Sequence, residues 1–102
     1  MPRRNTYSDT FSGQADRGIR AILQEKDNDS GEFMSRLKKV LLKVINNELT
    51  TRQKEIIVLY YFKNMDIVQI GRLLDVSPQS VSVCMKRARL KIYRCLQYNI
   101  NM

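Results

Sequence analysis

Only three residues, Asp75-Val76-Ser77, separate two stretches of helical periodicity, and Pro78 follows at once. A chain punctuated in this way has to turn sharply there. Ser77 suits the N-cap, and proline at the first helical position gives up an N–H that would have no partner anyway. Val76 and Val81 stand at the separation of a hydrophobic staple. The helix so begun is expected to reach about Tyr98. At 100° per residue, Val81, Cys84, Met85, Ala88, Ile92, Cys95 and Leu96 share its inner face. Gln79, Ser82, Val83, Lys86, Arg87, Leu90 and Arg94 face outward or flank it. Upstream, Asp66 and Gln69 make a capping box for a helix over residues 67–74 that buries Ile67, Ile70, Leu73 and Leu74. Gly71 in its middle costs up to ~1 kcal/mol relative to alanine. Close approach of another helix at that point would justify it.

Two further helices precede this pair. Thr50-Thr51-Arg52-Gln53 is a capping box that opens residues 51–62, apolar nearly all round from Ile56 onward, so a central helix touching several neighbours is expected. Its β-branched and aromatic content also fits a strand, but the explicit cap and the length of the run favour helix. Before it, Phe33, Leu37, Val40, Leu41, Val44 and Ile45 recur at three and four, with Arg36, Lys38, Lys39 and Lys43 on other faces. Asp29 and Glu32 would cap that helix, and Asn46-Asn47 would end it, because asparagine tolerates a left-handed stop. Residues 1–15 read as a mobile polar leader. Residues 15–26 carry Ile19, Ile22 and Leu23 at helical spacing, enough for one short helix interrupted near Gly18, before the breaker segment at 27–31.

Composition removes most chemistries. The 102 residues contain no histidine and only two cysteines, Cys84 and Cys95, so the usual general base, the commonest metal ligand and a disulfide framework are all missing. No nucleophile–base pair, phosphate loop or metal cluster stands out, and no enzyme, cofactor or metal is expected. Nothing apolar follows Arg3 and Arg4, so no secretory signal is expected. The longest apolar run, residues 56–62, is far short of the ~20 needed to span a bilayer. A cytoplasmic protein without a membrane partner is expected, its cysteines reduced and serving as small apolar side chains. The formal charge is +8. Residues 1–32 carry five basic and six acidic groups, residues 33–102 thirteen basic and four acidic. The basicity therefore belongs to the segment that folds, and the folded surface itself is expected to meet a polyanion.

Two helices of about eight and twenty residues, a three-residue turn, glycine in the first helix and a polar, basic outer face on the second together describe a helix-turn-helix. In that motif the first turns of the second helix carry short polar groups toward base edges, here Gln79 and Ser82, while later cations, Lys86, Arg87, Arg89, Lys91 and Arg94, meet phosphates. The plainer reading is a small helical bundle with a solvated basic face. Turn, glycine and charge placement agree better with binding to double-stranded DNA. Val83 and Leu90 are apolar on the outer face, suited to thymine methyls or a protein partner. Leu90 marks a candidate dimer contact, with the oligomeric state left open.

LTTRQKEIIVLYYF (49–62) followed by MDIVQIGRLLDVSPQSVSVCMKRARLKI (65–92) resembles region 4 of the sigma-70 family of bacterial RNA polymerase sigma factors. Gln69-Ile70-Gly71 matches the triplet of the first motif helix, Leu74-Asp75-Val76-Ser77 the turn, and Lys86-Arg87-Ala88 the close. LuxR-type DNA-binding domains share the opening and the triplet, but usually place a histidine near Cys84 and lack the Arg-Ala close. The resemblance implies major-groove recognition of a promoter −35-like element and contact with RNA polymerase. Carried onto this chain, Pro78, Gln79, Ser82, Val83 and Lys86 would read bases, and Arg72, Ser77, Arg87, Arg89, Lys91 and Arg94 would hold phosphates. Asp75 stands where the family usually has glycine, and Pro78 and Val83 replace common polar residues. The part of a sigma factor that melts the −10 element is not expected here. The chain is more similar to small stand-alone regulators of phages and conjugative elements.

The expectation is thus an all-α, wingless helical bundle with a helix-turn-helix. Residues 1–29 form a flexible polar leader, and residues 30–102 the DNA-binding domain, with four helices around one core. The function expected is sequence-specific transcription regulation. The alternative is a protein-interaction module, such as a split sigma subunit or a polymerase-binding regulator, with weak or no DNA binding.

Overall fold

The computed structural model describes residues 9–24 and 31–100. Among these the architecture is all-α, without a strand: α1 (Asp9–Leu23), α2 (Glu32–Asn47), α3 (Thr51–Ile57), α4 (Ile67–Leu74) and α5 (Pro78–Ile100). α3 runs directly into one π-helical turn over Val58–Phe62, where the Lys63 N–H reaches back five residues to the Val58 carbonyl at 3.2 Å. The helix starts are set locally. The Thr50 hydroxyl accepts from the Gln53 N–H while the Gln53 side chain accepts from the Thr50 N–H, both at 3.1 Å. Asp66 and Gln69 repeat this reciprocal pair at α4, at 2.8 and 2.9 Å. Each box satisfies two of the amides that a helix start leaves without a partner.

Hydrophobic burial gathers these helices around α5, which packs against α1, α2, α3 and α4. Leu41, Ile56, Ile57, Ile70, Val81 and Ile92 are the largest fully sealed side chains. Each such side chain contributes about 1.5–3 kcal/mol relative to an exposed one. The segment over 51–62, expected as a central helix touching several neighbours, does meet α2, α4 and α5, and Tyr61 reaches Asp16 of α1. The hub is α5, because only a helix of 23 residues is long enough to meet all its neighbours along one inner face. That face is the expected one: Val81, Met85, Ala88, Ile92 and Leu96 are buried, and Cys84 and Cys95 pack half-buried beside them.

Elsewhere the packing departs from the periodicity. Leu73, expected in the core, is 60 % exposed. The stripe of α4 facing the core is Ile67, Ile70, Gly71 and Leu74, and Leu73 lies about 100° from its centre. Phe33 is also exposed, with Met34 packed against the core in its place. α1 begins well before residue 15 and passes through Gly18 uninterrupted, and its Ile19 and Ile22 join the common core. The end expected at Lys26, the breaker at 27–30 and residues 1–8 lie outside the described residues. So does Asp29, and α2 starts at Glu32 behind Gly31, which supplies no side-chain cap. α2 stops at Asn47 as expected but without a left-handed residue, since Glu48 stays right-handed. Asn64, between the π turn and α4, is the asparagine that takes positive φ, at 58°.

Candidate nucleic-acid interface

The interface begins with the turn between α4 and α5. Asp75 ends α4 in the left-handed conformation, φ 61° and ψ 46°. Asparagine and aspartate reach this region more readily than other residues with a Cβ, though still at a cost. The reversal brings the Val76 N–H onto the Gly71 carbonyl at 2.9 Å. The turn then folds directly over Gly71. A Cβ on that glycine would lie 2.7 Å from the Val76 carbonyl oxygen and 3.5 Å from the Pro78 nitrogen. The close approach expected at Gly71 is therefore real, but the approaching group is the backbone of the turn.

α5 leaves this turn with its first residues anchored. The Ser77 hydroxyl accepts from the Ser80 N–H at 3.1 Å and donates to the Ser80 hydroxyl at 3.0 Å. The Val81 N–H donates to the Ser77 carbonyl at 3.2 Å. Val81 is sealed in the core, while Val76 stays exposed. The staple proposed for the pair therefore has one member at the surface.

The expected base-reading residues share the outer face of α5. Pro78, Gln79 and Val83 are exposed, and Ser82 and Lys86 are half-buried along the same side. Of the expected phosphate contacts, Arg72, Ser77, Arg87, Lys91 and Arg94 are exposed. The start of α3 joins them. Thr50 and Gln53 line a surface groove of about 600 Å³ together with Gln79, Ser80, Val83, Cys84 and Arg87. The contribution of α3 to this face was missed from sequence, although its capping box marked the spot. Cys84 borders the groove. Burial pushes its thiol up, against the opposing pull of Arg52 and Arg87, so it stays protonated at neutral pH.

Arg89 corrects the sequence expectation. Assigned to phosphate contact, it is only 8 % exposed and turned toward α1. Its Nη2 donates to Asp16 Oδ1 at 3.2 Å and to Met85 Sδ at 3.7 Å, and its Nε donates to the Tyr61 hydroxyl at 3.0 Å. The Tyr61 hydroxyl in turn donates to Asp16 Oδ1. Arg20 pairs with the other carboxylate oxygen at 3.1 Å. The two guanidiniums lie over the rings of Tyr60 and Tyr61, between 5.1 and 5.9 Å from their centroids. Burial alone would raise the Asp16 carboxyl, but the Tyr61 hydroxyl, Arg20 and Arg89 hold it below its ordinary value. Burial first, then the Asp16 carboxylate, push the Tyr61 phenol well above its own. Arg89 sits at the border between the inner and outer faces of α5, where helical spacing assigns no side. Its partner is 73 residues away in the chain.

No helix among the described residues is long and apolar enough to cross a membrane. Comparison with curated proteins and with solved structures gives no match. A family model described as Sigma-70, region 4 matches residues 40–92. That span opens inside α2, takes in α3, the π turn, α4 and the turn built over Gly71, and closes inside α5. Domains of this family occur in transcription-regulatory proteins. With just over half its length matched, and with α4, the turn and the greater part of α5 inside the match, the chain belongs to the sigma-70 region 4 family.

Proposed function

We propose that this protein is a cytoplasmic, non-enzymatic transcription regulator that recognises duplex DNA sequence-specifically, with α5 in the major groove of a promoter −35-like element. The observation that carries the reading is the turn over Gly71, which anchors α5 so that Gln79 and Val83 stand exposed beside Thr50 and Gln53. Pro78, Gln79, Ser82, Val83 and Lys86 read base edges. Gln79 is suited to bidentate pairing with adenine, and Val83 to a thymine methyl. Arg72, Ser77, Arg87, Lys91 and Arg94 hold the backbone, and Arg89 is excluded by its burial.

The salt dependence of binding tests this. The four cations among the backbone contacts, neutralising phosphates, predict a log K against log salt slope of about −3 to −4. Gln79→Ala should cost about 1–3 kcal/mol on a site selected from random duplexes and little on scrambled DNA, whereas Arg94→Ala should weaken both and reduce the slope by about one. A flat salt response sinks the reading. A second reading, in which contact with RNA polymerase dominates, is favoured by the exposed apolar side chains Phe62, Val68 and Leu73. It predicts tight polymerase binding that survives Gln79→Ala and is lost on Leu73→Asp.

A further inference from the structure

The triangle of Asp16, Tyr61 and Arg89 joins three elements, α1, the π turn and α5, across 45 and 73 positions of sequence. Its groups turn away from the outer face of α5, so contact with DNA does not explain them. A partly buried ionic cluster is also a weak explanation for stability, because desolvation offsets much of the attraction between its charges. Directionality is what such a cluster adds.

The apolar inner face of α5, Met85, Ala88, Ile92 and Leu96, holds the helix against the core. Apolar contacts are non-directional, and by themselves they leave room for small rotations about the helix axis. Arg89 ends in a planar fork whose hydrogen bonds are geometrically demanding. Here the fork is gripped on two sides, by Tyr61 at Nε and by Asp16 at Nη2. Arg20 on Asp16 and the edge-to-face pair of Tyr60 and Tyr61, 4.9 Å between centroids, fix the gripping groups in turn. Gln79 lies ten residues before Arg89 on the same helix, about 15 Å along the axis, so the rotation that holds at Arg89 holds at Gln79. A rotation of about 20° would swing a side-chain tip, roughly 6 Å from the axis, by about 2 Å. A positioned contact tolerates only about 0.5 Å.

We propose that Asp16 and Tyr61 are positioning residues for DNA reading: through Arg89 they complete what the turn over Gly71 begins, fixing the rotation of α5 about its own axis, and with it the register of Gln79 and Ser82 against the bases. The inference rests on the reading of α5 as the base-contacting helix. It makes α1, which lies outside the matched family span, a determinant of specificity without touching DNA.

The test measures the affinity ratio between a selected duplex and its scrambled counterpart for the full chain and for Tyr61→Phe, Asp16→Asn and Arg89→Lys, with helicity checked for each. Tyr61→Phe removes one oxygen, and Arg89→Lys keeps the charge while losing the fork. The expected result is a fall of about ten-fold or more in the ratio for all three, with scrambled-DNA affinity and salt slope unchanged. Reduced thermal stability with an unchanged ratio would overturn the inference, as would unfolding of all three variants, since the triangle would then be a stability element. A steeper salt slope would also overturn it, showing that Arg89 had been released to a phosphate. A wild-type chain that does not discriminate between the two duplexes would sink the reading of α5 itself, and this inference with it.

Discussion

Replacing Gly71 by alanine sets two effects of known size against each other. Helix propensity favours alanine by about 1 kcal/mol in a helix interior. The new methyl, however, would stand 2.7 Å from the Val76 carbonyl oxygen, several tenths of an ångström inside ordinary contact. That oxygen belongs to the backbone of a turn held at both ends, by the Val76 N–H on the Gly71 carbonyl and by the Ser77 cap on α5. Relief therefore requires the turn to lift, which lengthens the first bond and tilts the start of α5. Overpacking of this kind costs about 1–3 kcal/mol, and a weakened hydrogen bond about 1 more. The net expectation is a loss of about 1–3 kcal/mol, which lowers the melting temperature by roughly 4–8 °C per kcal/mol in a domain of this size. Thermal unfolding followed by circular dichroism measures it. Gly18→Ala in α1 is the matched control, because a Cβ there meets nothing within 4 Å. Only the propensity gain applies to it, and it should stabilise by up to about 1 kcal/mol. If Gly71→Ala melts at or above wild type, or shifts in the same direction as Gly18→Ala, the account of the turn is wrong.

Asp75→Gly should stabilise the protein by about 0.5–1 kcal/mol in urea unfolding, since glycine takes the left-handed end of α4 without strain and removes a negative charge from a helix C-terminus. Thr50→Ala should lose about 1 kcal/mol by breaking the box that starts α3, and Thr50→Ser should recover most of it. Because the folded protein holds the Asp16 carboxyl below its ordinary value of 3.8, its contribution is complete above about pH 4 and disappears as pH falls through the lower folded value. The stability gap between wild type and Asp16→Asn, measured by urea unfolding, should therefore be constant near neutrality and close in acid. At the alkaline end the raised Tyr61 phenol reverses the sign, so its contribution holds below pH 10 and is lost above it. Absorbance titration at 295 nm should show a late phenolate that Tyr61→Phe removes.

The parts of this molecule legible in the sequence are those whose physics is local. The boxes at Thr50 and Asp66, the Ser77-Pro78 start, the three-residue turn and the small residue at Gly71 each act within a few residues. The helix-turn-helix follows from them, together with the inner face of α5, because an apolar stripe at helical spacing has one side to bury. Tertiary structure decided which neighbour each stripe meets. It left Leu73 and Phe33 at the surface, made α5 the hub and carried α1 through Gly18 onto the core. It also drew Arg89 inward. A cation at the edge of an amphipathic face has no preferred side until a partner is supplied. Here the partners are a carboxylate on α1 and a phenol on the π turn, brought to it by packing that no short-range pattern encodes.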